Sequence, residues 1–147
     1  KYEPNAIKMT SKLYHSATFT VKWSDVDPNK HLRGAVYMDY ADHARISFLL
    51  ENGITNEFLN QLGFGPVLFN ANIEYFKEVF LNDKITVDCF IVDMSDDFKK
   101  FSIMHLLKNQ NGDEVAKITV NGAWMNLKTR KIESPPKEMT DKLSLMQ

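Results

Sequence analysis

One long helix followed mainly by strands is the pattern that most constrains this chain of 147 residues. Tyr37, Ala41, Ala44 and Phe48, with Tyr40 beside them, recur at helical spacing, which predicts a helix opening at Gly34 or Ala35 and reaching about Asn52. Gly53 is placed to stop it, and the two alanines in mid-stripe call for another backbone packed close. A strand over 17–23 precedes it, with Phe19, Val21 and Trp23 facing one side and Thr18, Thr20 and Lys22 the other. A short helix over 56–61 and a Gly63-Phe64-Gly65-Pro66 turn follow, and strands are then expected over 67–79, 85–94, 98–108 and 115–127. Their connections are short: Asn82-Asp83, Ser95-Asp96-Asp97 and the hairpin signal Asn109-Gln110-Asn111-Gly112, with Asn121-Gly122 as a candidate bulge. Such turns require antiparallel pairing. A single helix cannot cover both faces of the sheet. The expectation is therefore an α+β domain, an antiparallel sheet of five to six strands wrapped around one long central helix. A second subunit would bury the remaining face or edge, giving a homodimer, with a homotetramer as the larger alternative. One domain would span 1–147, with an irregular arm over 1–14 and a C-terminal tail over 135–147 that carries a short amphipathic helix.

Charge and cysteine usage narrow the partners. Lys plus Arg is 18 and Asp plus Glu is 19, so no basic footprint for nucleic acid is present. No window approaches the roughly 20 apolar residues of a membrane-spanning helix. Cys89 stands alone, which excludes an internal disulfide and a cysteine-built metal site and points to the cytoplasm. The first residues lack the basic-then-apolar pattern of a signal peptide; the chain begins at Lys1, with Met9 as a candidate native start.

The densest polar cluster is Asp25-Val26-Asp27-Pro28-Asn29-Lys30-His31-Leu32-Arg33-Gly34, between a strand and a helix N-terminus. That end of a helix offers unpaired N–H groups and a positive dipole, suited to an oxyanion. A carboxylate, an amide and an imidazole beside it form a hydrolytic kit, although Asp before Pro and Asn are also ordinary turn formers. Other chemistries fit poorly. An EF-hand reading of Asp25, Asp27, Asn29 and His31 meets Lys30 where Gly is needed and Val36 where Glu is needed. Asp39, Asp42 and His43 share helical spacing but read better as a solvated face than as metal ligands. No metal is therefore expected. Gly63-Phe64-Gly65 lacks the third glycine of a dinucleotide loop, no Gly-x-Ser-x-Gly elbow exists, and Cys89 lies mid-strand.

The run from Trp23 to Arg45 resembles the signature of hotdog-fold thioesterases, including the 4-hydroxybenzoyl-CoA thioesterase group and the plant acyl-ACP thioesterases. Asp27, His31, Tyr37, Asp42 and Arg45 match the family's spaced acidic, His, Tyr and acidic-Ala-Arg positions. Asn29 matches the additional asparagine of the acyl-ACP group, and Ile73-Glu74-Tyr75-Phe76-Lys77-Glu78 resembles that group's second-strand segment, with Glu78 at its acidic position. Two departures stand out: Lys30 where many members have Gly, and Arg33-Gly34 in place of an Asn-Asn pair. The resemblance implies a hotdog fold and hydrolysis of an acyl-CoA or acyl-ACP thioester in lipid metabolism. Asp27, Asn29, His31 and Glu78 would be catalytic, and Gly34, Ala35, Val36 and Tyr37 would bind the substrate. Asp27 would be general base or nucleophile. No cofactor is implied, since coenzyme A or phosphopantetheine would be part of the substrate. The fold also hosts dehydratases and non-catalytic acyl-thioester binders, and a silent binder is the alternative reading.

Overall fold

The computed structural model describes residues 13–146. Strand β1 (Leu13–Thr20) leads through a short 3-10 turn (Trp23–Asp25) to helix α1 (Gly34–Glu51) and helix α2 (Asn56–Leu62). Strands β2 (Phe64–Tyr75), β3 (Lys84–Met94), β4 (Lys100–Lys108), β5 (Glu114–Asn126) and the short β6 (Lys131–Ile132) follow, then helix α3 (Lys137–Leu145). The sheet order is β1-β3-β4-β5-β2, with β6 on β5, and every pairing is antiparallel. The sheet curls around α1, which is the hotdog fold.

The predicted stripe is the buried face of α1. Tyr37, Tyr40, Ala41, Ala44 and Phe48 are all buried, and Ala41 and Ala44 are completely so. The alanines let α1 lie against β1, β3 and β5, where Val87, Cys89, Ile118 and Val120 close the main core. Gly53, at φ 78°, ends the helix in the left-handed region that glycine adopts without strain. A second apolar cluster joins Phe48, Phe64, Phe101 and Trp124 to Met139, Leu143 and Met146 of the C-terminal segment, so the tail expected over 135–147 packs as a helix across its described part.

Several boundaries differ from expectation. Most of the irregular arm expected over 1–14, and Met9 with it, lies outside the described residues, while Leu13 and Tyr14 already belong to β1. The first strand ends at Thr20, and Trp23 is 82% exposed instead of facing inward. The reason is Asp25: its backbone N–H donates to Lys22 O at 2.9 Å, and its buried carboxylate accepts from the Tyr40 hydroxyl at 2.7 Å. That hydrogen bond turns the chain so that Asp25 takes the inward place. Of the turn expected over 63–66, only Gly63 serves, as the left-handed cap of α2, and Phe64 begins β2. β2 stops at Tyr75, short of the expected Val79.

The bulge falls beside Asn121 and Gly122 but on the opposite strand. Leu68 pairs with Gly122 and Asn70 with Asn121, leaving Phe69 of β2 as the additional residue. Gly122 is required by close approach, since a Cβ there would overlap Val67 O and lie 2.8 Å from Phe101 Cζ. Gly122→Ala should therefore lower stability by about 2 kcal/mol, as overpacking of a tight interior does. The check is the urea midpoint of unfolding at unchanged m-value, and an unmoved midpoint would refute the steric argument.

Candidate active site

Residues 26–32 form a tight hairpin between the 3-10 turn and α1. Val26 and Leu32 make an isolated bridge, and Asp27 N–H donates to His31 O at 2.9 Å. Asp27 Oδ1 accepts two backbone donors, Asn29 N–H at 2.9 Å and His31 N–H at 3.1 Å. This fixes the carboxylate in an Asx-type turn, while Pro28 holds Asp27 itself extended. No partner engages Oδ2 among the described residues. Lys30 sits at φ 63°, which gives a physical reason for glycine at this position in other sequences.

A second segment docks on this hairpin. Leu32 N–H donates to Val79 O at 2.7 Å and Leu81 N–H to Lys30 O at 3.3 Å. The pairing carries Glu78 and Phe80 to His31: Glu78 Oε2 lies 3.8 Å from His31 Nε2, and the Phe80 ring meets the imidazole edge-on at 5.0 Å. Asp27, His31 and Glu78 are thus neighbours through backbone and ring contacts. The Asn29 side chain makes no hydrogen bond to them among the described residues; its backbone joins the group, through Asp27.

The hairpin feeds directly into α1. Arg33 caps it in extended conformation; its side chain makes no capping hydrogen bond and instead donates to Ser24 O at 3.1 Å. Val36 N–H donates to Arg33 O at 3.0 Å, so Gly34 and Ala35 carry the first-turn amides that have no partner among the described residues. Tyr75, at the end of β2, closes the other side. Its hydroxyl donates to Gly34 O at 3.4 Å, and its ring meets buried Tyr37 edge-on at 5.0 Å. Burial first, then Tyr75 and Glu78 nearby, raise the Tyr37 hydroxyl above its ordinary pKa. Tyr37 therefore remains a neutral donor at neutral pH.

Farther along α1, Asp42 and Arg45 form the ion pair that their i,i+3 spacing on a helix allows, and β4 adds a buried histidine that sequence reasoning missed. Arg45 reaches Asp42 Oδ1 at 2.5 Å and His105 Nε2 at 3.2 Å, and His105 Nδ1 lies 3.0 Å from Ile118 O. His105, on β4, has no exposed surface. Burial, and secondarily Arg45, push its pKa down to about 4, so it is neutral. Its only signal in the sequence is an imidazole at an inward position of an otherwise apolar strand. Among the described residues no His, Cys, Asp and Glu side chains group closely enough to hold a metal ion, and no helix is long and apolar enough to cross a membrane.

Several solved proteins share this fold. The hypothetical protein SAV2348 from Staphylococcus aureus, solved in complex with CoA, superposes with a TM-score of 0.84 at 21% identity, covering 94% of this chain and 85% of that one. A 1,4-dihydroxy-2-naphthoyl-CoA thioesterase from Synechocystis, Slr0204, gives 0.78 at 16% identity over 88% and 95% of the two chains. The 12:0-ACP thioesterase from Umbellularia californica gives 0.77 at 17% identity, covering 89% of this chain and 52% of that longer one. At these identities the likeness is one of fold. No curated protein sequence matches the chain. The sequence itself matches the thioesterase-like superfamily over residues 21–143, most of its length, and the chain belongs to that superfamily.

Proposed function

We propose that this protein is a hydrolase of acyl thioesters carried on coenzyme A or acyl carrier protein. One observation carries the reading: among the described residues, Asp27 holds one carboxylate oxygen on two backbone amides and leaves the other unengaged, in a hairpin that runs into a helix whose first two amides lack partners. A thioester carbonyl at Gly34 and Ala35 would have its developing oxyanion stabilised by those N–H groups and the helix dipole. Val36 and Tyr37 would line the same turn, with the Tyr37 hydroxyl as a neutral donor. Asp27 would take a proton from the water that attacks the carbonyl, as general base, or attack the carbonyl itself, expelling the thiolate to give an acyl anhydride that water then hydrolyses. His31, paired with Glu78, would orient water or balance charge, and Asn29 would assist from the hairpin tip. The thiol leaves as free coenzyme A or as the phosphopantetheine thiol still attached to its carrier protein, so the carrier is substrate and no cofactor takes part. Free-thiol release from a panel of acyl-CoA and acyl-ACP thioesters tests the reading. Turnover above the uncatalysed rate is expected; binding of thioesters without thiol release would make the protein a silent binder instead.

The proposed assembly rests on the edge of the sheet. β2 is an edge strand that exposes Leu68 (42%) and Phe69 (56%), and Phe76 just beyond it is 52% exposed. An apolar edge of this kind is covered in a stable protein. The proposed cover is β2 of a second copy, giving a homodimer or a homotetramer built from it. Light scattering at micromolar concentration should return at least twice the 17.0 kDa chain mass, and a monomer would contradict the arrangement.

A further inference from the structure

Beside the Asp27 hairpin one indole stands almost entirely in solvent. Trp23 is 82% exposed, and its ring meets no other ring or cation among the described residues. Tryptophan is a side chain that interiors and interfaces otherwise bury. Its neighbours are cationic. The Arg33 guanidinium is held at the next residue by donating to Ser24 O at 3.1 Å, through one of its five N–H groups. Lys22 precedes the indole in the chain, and the backbone brings Lys30 to the same end. Leu81 N–H donates to Lys30 O at 3.3 Å and Asn82 N–H to Val21 O at 2.9 Å, so two consecutive residues hold the segments of Lys30 and Lys22 side by side. Lys22, Lys30 and Arg33 are exposed, and none joins an ion pair among the described residues. The acids of this region have other contacts: Asp25 with Tyr40, Asp27 with two amides through Oδ1, Glu78 near His31, and Asp83 with Phe80 N–H and Gln110. Lys30 also holds φ 63°, a conformation that glycine adopts without strain and lysine does not. A cation kept at such a position points to a use for its charge.

The complement of this surface is a flat uncharged ring joined to phosphates. A base stacks on an indole face, and phosphate oxygens accept from guanidinium and ammonium groups. A protein partner fits less well: stable docking takes about 800 Å² per side with an apolar centre, and the exposed side chains flanking the indole are polar or charged. The reach is also right. Arg33 N–H donates to Asp25 O at 2.9 Å, with Trp23 two residues from one side of that pair and Gly34 one residue from the other. At ~3.8 Å per residue and ~5 Å across the pair, Trp23 and Gly34 are at most about 17 Å apart. About 13 bonds separate the thiol of coenzyme A from its nearest phosphorus, and at roughly 3.3–3.6 Å per three bonds they extend to about 15 Å.

We propose that this end of the molecule is a nucleotide subsite for coenzyme A, with the adenine stacked on Trp23 and the phosphates on Lys22, Lys30 and Arg33. The assignment rests on the thioester-hydrolase reading above and narrows its carrier to coenzyme A. The test places one acyl group on coenzyme A, on pantetheine, which lacks the phosphates and the base, and on phosphopantetheinylated acyl carrier protein, with thiol release as readout. The coenzyme A thioester should show at least about tenfold higher kcat/KM than the other two. Trp23→Ala should raise its KM at least about tenfold, hold kcat within about twofold and leave the pantetheine thioester unaffected. Lys30→Gly should raise the urea midpoint by relieving the backbone, yet raise KM for the coenzyme A thioester at least about threefold. Equal kcat/KM on coenzyme A and pantetheine, an unmoved KM in either variant, or faster turnover of the carrier-protein thioester overturns the subsite and leaves the hydrolase reading standing. If no thioester is cleaved, the hydrolase reading falls and binding of coenzyme A itself decides. Quenching of tryptophan fluorescence by coenzyme A that Trp23→Phe abolishes then sustains the subsite, and any other result ends it.

Discussion

Asp27→Asn should lower turnover on the best thioester by at least about a hundredfold, the lower end of what general-base assistance contributes. The substitution is chosen for what it leaves in place. Asp27 Oδ1 accepts the Asn29 and His31 amides, and an asparagine carbonyl oxygen can accept both, so the hairpin that leads into α1 survives. What changes is the other oxygen, which becomes an NH₂ that neither removes a proton nor attacks a carbonyl. Asp27→Ala would be a poorer probe because it breaks the turn as well. The contrast is Asp25→Asn. Asp25 is buried and receives the Tyr40 hydroxyl at 2.7 Å, and the same contact helps hold that hydroxyl in its neutral form. Removing this charge should cost about 1–2 kcal/mol of stability and only a few-fold of turnover. A folded Asp27→Asn protein that keeps most of its activity would sink the proposed mechanism and leave the fold untouched.

The two aspartates also show what the sequence could and could not disclose. The buried face of α1 is legible because its period is local: Tyr37, Ala41, Ala44 and Phe48 need no knowledge of their partners to be recognised as one face. β3 and β4 are legible for the same reason, with short turns dictating their pairing. The end of β1 is not. Trp23 continues an apolar alternation, yet a hydrogen bond to a residue on α1 decides that Asp25 goes inside. The meeting of His31 and Glu78 depends on residues 30–32 pairing with 79–81, a contact between segments nearly 50 positions apart that no local pattern encodes. Only the family resemblance brought Glu78 into consideration. His105 lies beyond both kinds of reasoning, since its partners Arg45 and Ile118 come from two other elements.

That residue should govern the acid stability of the protein. Ile118 O can only accept, so His105 Nδ1 carries the proton. The Arg45 guanidinium can only donate, so Nε2 carries none. One neutral tautomer satisfies both neighbours, and protonation would set a new N–H against a guanidinium in a site without exposed surface. Burial and Arg45 hold the folded pKa at about 4, with Ile118 O and Asp42 pulling weakly the other way. In the unfolded chain the imidazole returns to about 6.5. Between those values the unfolded state binds a proton that the folded state does not, so stability is complete above about pH 6.5 and falls as the pH drops toward 4. Two and a half pH units correspond to about 3 kcal/mol, a large part of the stability of a domain this size. Gln at this position can donate to Ile118 and accept from Arg45 without titrating. Urea unfolding of the wild type and of His105→Gln between pH 7 and pH 4 isolates the effect, because the surface carboxylates titrate alike in both. The stability difference between the two proteins should shift by about 3 kcal/mol in favour of the variant as the pH falls; parallel curves would show that His105 is not the group that acid attacks first.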